Sequence, residues 1–155
     1  MAYELRAVLA SGDVLSGRAE APGTLGQGLA LLPVTDRLRD AFGGAAALGF
    51  WDLPDGLAAE LARWSIDGPV AYVEAEYFGG TGAQRAVVWQ AGRLEWGPVH
   101  VAEGERFPVE GSPISQALRR LGAVRGTEFD EFAAVGLGRH RWTSGWIGAD
   151  PVEGA

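Results

Sequence analysis

Residues 70–99 read VAYVEAEYFGGTGAQRAVVWQAGRLEWGPV, and this stretch decides the fold class. Three apolar, β-branched and aromatic runs, Val70 to Phe78, Gln84 to Gln90 and Arg93 to Val99, are separated by Gly79-Gly80-Thr81-Gly82 and by Ala91-Gly92. Such runs between glycine-rich turns predict three sequential antiparallel strands. Alternation puts Ala71, Val73, Ala75 and Tyr77 on one face of the first strand and Tyr72, Glu74 and Glu76 on the other, so one face reads as core and the other carries two carboxylates. A symmetric four-residue loop would set Glu76 opposite Arg85, Glu74 opposite Val87 and Tyr72 opposite Trp89.

Helical signals flank this meander. Pro54, Leu57, Leu61 and Trp64, closed by Asp67-Gly68, predict an amphipathic helix over about 54–65. Ser112 is a candidate cap for a helix carrying Ile114, Ala117, Leu118 and Leu121, with Gly122 as its stop. Thr127-Glu128-Phe129-Asp130 resembles a capping box that turns Phe129 and Phe132 inward and ends at Gly136. Thr35 or Asp36 can cap a shorter helix through Phe42, ended by Gly43-Gly44. At the N-terminus, Glu4 to Ala10, Ser11-Gly12-Asp13 and Val14 to Ala19 read as a β-hairpin, and residues 22–28 as a loop. The run Leu29 to Val34 is left open between strand and helix. Strands and helices in blocks predict an α+β class, an antiparallel β meander with helices packed mainly on one face. Residues 1–150 form one expected domain, with 151–155 as a frayed tail.

Composition removes whole classes of chemistry. The 155 residues contain no cysteine and no lysine, all 13 basic residues being arginine. Thiolate metal sites, disulfides, Schiff-base catalysis and the phosphate-loop lysine are excluded. A net charge of −7 argues against a nucleic-acid surface and favours a basic partner. No apolar run approaches a membrane span, and no signal-peptide pattern opens the chain, so a cytoplasmic location is expected.

Four features compete as sites. Glu74 and Glu76 could act as acid and base or meet a partner, against the plainer role of a cross-strand ion pair. The loop Gly79-Gly80-Thr81-Gly82 lacks the context of an anion site and reads as a hairpin tip open to a partner. His100 and His140 have no ligand spacing, so neither a metal nor a cofactor is expected. The stretch Gly138 to Trp146 combines arginine, histidine and tryptophan, which can stack on bases or close over a core.

The run Glu74-Ala75-Glu76-Tyr77-Phe78-Gly79-Gly80-Thr81-Gly82-Ala83-Gln84 into Val87-Val88-Trp89, with Asp130-Glu131-Phe132 and Val135-Gly136-Leu137-Gly138-Arg139, resembles a group of small uncharacterised bacterial proteins. Some of that group resemble immunity proteins of polymorphic-toxin systems. The resemblance covers residues 69–142 and implies a protein-binding role with no catalytic residues to carry over. The expectation is therefore a non-enzymatic binding domain, contacting a protein such as a basic toxin through Glu74, Glu76, Tyr77, Gly79, Gly80 and Gly82. Two alternatives stand beside it: a hydrolase pairing Glu74 or Glu76 with a histidine, and a self-assembling structural subunit.

Overall fold

The computed structural model describes residues 2–18 and 22–147; the expected tail, 151–155, lies outside them. Six strands, β1 (Ala2–Ser11), β2 (Gly23–Thr24), β3 (Leu29–Pro33), β4 (Val70–Phe78), β5 (Thr81–Gln90) and β6 (Arg93–Val101), form an antiparallel sheet in the order β2-β3-β1-β4-β5-β6. The helices among the described residues are α1 (Gly12–Leu15), α2 (Asp36–Phe42), α3 (Asp55–Trp64), α4 (Pro113–Arg120) and α5 (Glu131–Val135). Short 3-10 turns follow at Leu137–Arg139 and Thr143–Trp146. The fold is α+β.

The N-terminal segment departs from the expected hairpin. The Ser11 side chain accepts the Val14 N–H at 3.2 Å, starting a single helical turn that buries Val14 and Leu15 where a second strand was expected. Ala19, the end of that expected strand, lies outside the described residues. β1 instead pairs with β3, which settles Leu29 to Pro33 as a strand, and along nine residues with β4. It lies inside the sheet, and Leu5 and Ala7 to Ala10 are buried on both faces.

Burial of both faces divides the helices between them, in place of the expected one-sided cover. Leu5, Ala7, Leu9, Ala71, Val73, Ala75, Ala86 and Val88 meet Ile114, Ala117 and Leu118 of α4, Val135 of α5 and Trp146. Val8, Ala10, Val70, Tyr72, Val87 and Trp89 meet Leu57, Leu61 and Trp64 of α3 with Phe50 and Leu53 of the loop before it. The carboxylates of β4 hid this second core, because only the C-terminal half of that strand's second face is polar. α3 starts hard against the end of α2: a Cβ at Gly56 would stand 2.2 Å from the Phe42 carbonyl oxygen.

Two finer expectations also shift. The cap of α5 is Asp130, whose side chain accepts the Ala133 N–H at 2.9 Å, rather than Thr127. Phe129 consequently points to solvent, while Phe132 packs edge-on against Tyr3 at 5.5 Å. The β4–β5 connection is a two-residue turn, Gly79-Gly80 with φ of 64° and 84°, pairing Phe78 with Thr81. Two positive φ angles are those of the hairpin turn whose twist matches its strands. The shorter turn moves the register by two residues, so Glu74, not Glu76, lies opposite Arg85, and Tyr72 lies opposite Val87.

Candidate partner-binding site

Glu74 is fully buried. Its Oε1 accepts the Trp51 N–H at 2.7 Å; its Oε2 accepts the Asp52 N–H and the Tyr72 hydroxyl, each at 2.7 Å. Tyr72 is itself buried, edge-on to Phe50 at 5.0 Å, and burial followed by the Glu74 charge raises its pKa above the ordinary phenol value. The carboxylate thus binds the loop Phe50-Trp51-Asp52 down onto the sheet. A buried charge demands such donors, and with three strong ones it is held in place. Glu74 is therefore removed from the expected contact residues.

Glu76 turns outward, its side chain 55% exposed. It faces Glu4 across the β1–β4 pair, a like-charge juxtaposition that is unfavourable by itself. Arg6, one row further, resolves it: its guanidinium pairs with Glu76, reaches Glu4 at 3.5 Å and donates through Nε to Asp52 at 2.7 Å. Arg6 is nearly buried, and although that burial opposes its charge, Asp52 and Glu76 raise its pKa overall, so its charge is permanent. Trp51 is stacked between Arg6, 5.0 Å from the ring centroid, and Arg85, at 3.9 Å, and Arg85 also donates to the Gly49 carbonyl at 2.5 Å.

Beyond this row the sheet ends in a groove of about 650 Å³. Its floor comes from β1, β4 and β5, with Glu4, Glu76, Phe78 and Arg85; Trp51, Trp142 and Glu103 stand around it. Phe78 is 80% exposed and Trp142 is 52% exposed. A neighbouring hollow of about 500 Å³ shares Glu4 and Trp142 and continues to Asp52 and Arg39. Glu4 also fixes the position of Trp142, because it accepts the Thr143 N–H at 2.9 Å and the Thr143 hydroxyl at 2.7 Å.

The other expected contacts divide. Gly79 and Gly80 form the exposed tip, with open space where side chains would stand. Gly82 is structural: a Cβ there would lie 1.9 Å from the Glu76 carbonyl oxygen and 2.7 Å from the Tyr77 ring. The ring of Tyr77, half-buried, packs against the α4-side core, away from the Glu76 face, and burial raises its pKa. Tyr77 is thus a support of the hairpin, and both it and Gly82 also line the groove beside Glu76.

The histidines do not join the carboxylates. In β-sheet register Arg85 lies between Glu74 and His100, and His140 packs edge-on against the buried Trp146 at 4.5 Å. Among the described residues no three His, Asp or Glu side chains are grouped to hold a metal ion, and no helix is long and apolar enough to cross a membrane. The Gly138 to Trp146 stretch, with Leu137 just before it, closes the α4-side core through Trp146 and leaves Trp142 outward. Sequence reasoning passed over Arg6, Trp51, Asp52, Phe78, Glu103 and Trp142 as a group, since they come from five distant segments. The local signals were the Arg/Trp composition of the stretch holding Trp142 and a Trp-Asp pair in a glycine- and alanine-rich loop. Comparison with protein-family models, with curated proteins and with solved structures finds no match to this chain.

Proposed function

We propose that this chain is a non-enzymatic protein-binding domain of the immunity type, which inhibits a cationic toxin inside the cell by covering it with the groove at the β4–β5 tip. The observation that carries the reading is the exposure of Phe78 and Trp142 beside Glu4, Glu76 and Glu103 in one concavity. Aromatic anchors in a desolvated centre supply most of the energy of such interfaces, and surrounding charge supplies encounter rate and selectivity. A net charge of −7 favours a basic partner at long range. A stable interface needs roughly 1,000 Å² or more of buried surface, so the groove is its centre. The hollow on the far side of the hairpin, lined by Gly80, Gly82, Glu105 and Phe107, lies at its rim.

The test is affinity capture from the source lysate with three baits: the wild type, Phe78→Asp, and Val109→Asp at a position that is 99% exposed and outside the groove. A stoichiometric partner held by the wild type and Val109→Asp but lost from Phe78→Asp is the expected result. Equal capture by all three contradicts the groove as the binding surface. Absence of any stoichiometric partner contradicts the binding role.

A further inference from the structure

Resting on that reading, we infer that the groove contains a subsite for one arginine or lysine side chain of the partner, seated on the indole face of Trp142. The molecule treats its other tryptophans consistently. Arg85 and Arg6 flank Trp51, Arg18 lies 5.6 Å from the Trp64 ring centre, Arg120 4.9 Å from that of Trp96, and Arg139 5.2 Å from that of Trp146. Trp89 is buried in the α3-side core. Trp142 differs from all of these: it is half-exposed, and among the described residues no guanidinium or ring lies against it.

The charge lining the groove has one sign in excess, with Glu4 next to the Trp142 segment and Glu103 at the opposite wall, after β6. Three carboxylates line the groove against one guanidinium, and Arg85 is already committed to Trp51 and the Gly49 carbonyl. Glu4 is engaged by Thr143 and Glu76 by Arg6, whereas Glu103 has no ion-pair partner among the described residues. An indole face attracts a cation through its quadrupole, and a nearby carboxylate adds to the attraction. An anion would meet repulsion from Glu76 and Glu103. A wholly apolar occupant would strip water from the groove's carboxylates with nothing to replace it. Phe78 and Trp51 extend the floor, which favours apolar residues flanking the partner's cation.

The experiment titrates the full chain with two capped tripeptides, Leu-Arg-Leu and Leu-citrulline-Leu, which share shape and differ in charge. Indole N–H resonances are followed by NMR, and that of Trp142 is identified by its loss in Trp142→Phe. The arginine peptide should shift the Trp142 resonance saturably and bind about threefold or more tightly than the citrulline peptide. Glu76→Gln should erode that preference. Equal affinities, a shift at Trp51 without one at Trp142, or no saturable shift would overturn the subsite. If Phe78→Asp abolishes partner capture while the two peptides bind alike, the binding role stands and the cation assignment falls. If the peptides are distinguished but capture ignores Phe78, the subsite stands and the proposed interface falls.

Discussion

A carboxylate with no exposed surface is stable only while every oxygen is answered, and Glu74 is answered by two backbone N–H groups and one hydroxyl. Glu74→Ala leaves those donors unpaired, and a loss of about 3 kcal/mol or more is expected in denaturant unfolding. Tyr72→Phe removes one donor and should cost about 1–2 kcal/mol. Glu76→Gln, on an exposed side chain, should change stability by less than about 1 kcal/mol. A binding defect in a Glu74 variant would therefore report a damaged loop, so Glu76, Phe78 and Trp142 are the positions to vary. His100 supplies a pH test. Partial burial beside Phe50 and Gly49, and then the Arg85 charge, lower its pKa below the ordinary 6.5. The unfolded chain then takes up the proton first, so this contribution is full above about 6.5 and is lost as the pH falls through the lower, folded value. An NMR titration of its ring should show a midpoint below 6.5, and His100→Gln should flatten the stability profile in that range.

At the scale of elements, the hairpin of β4 and β5 is specified by where glycine is required. Gly82→Ala drives a methyl into the Glu76 carbonyl and the Tyr77 ring, and a loss of about 2–3 kcal/mol is expected in thermal or denaturant melts. Gly80→Ala meets open space but a φ of 84°, and should cost about 1 kcal/mol. The inverse order of these two losses would contradict the turn described here. The meander itself, α2, α3 and α4 were legible from alternation and caps, because those signals are local. The register was not, because Gly79-Gly80-Thr81-Gly82 admits a two- or a four-residue loop, and only the fit of Tyr77 over Gly82 chooses between them. Nor was the place of β1, since its long pairing with β4 joins segments separated by some seventy positions, while Ser11 turned the expected second strand into a helical cap.

At the scale of the whole molecule, one buried arginine organises the polar end of the sheet. Arg6 draws together Glu4 and Glu76 of the sheet and Asp52 of the loop, and so connects the walls of the groove. Arg6→Met leaves those carboxylates facing one another and should lower stability by about 1–3 kcal/mol, because each is partly exposed and regains water. The groove was invisible in the sequence because its aromatic and acidic members come from the start of β1, the loop before α3, the β4–β5 tip, the turn after β6 and the C-terminal stretch. The expected contact set falls on the hairpin that borders the groove, yet it mixes residues exposed at its surface with residues that hold the hairpin together, which alternation alone cannot separate when both faces are buried. The claim that a partner sits on this groove is tested most directly by hydrogen exchange on the chain alone and in complex with its captured partner. Slowed exchange at residues 76–82, 102–107 and 141–143 is the result predicted; slowed exchange along the outer edge of β6 or over α4, with 76–82 unchanged, would contradict it.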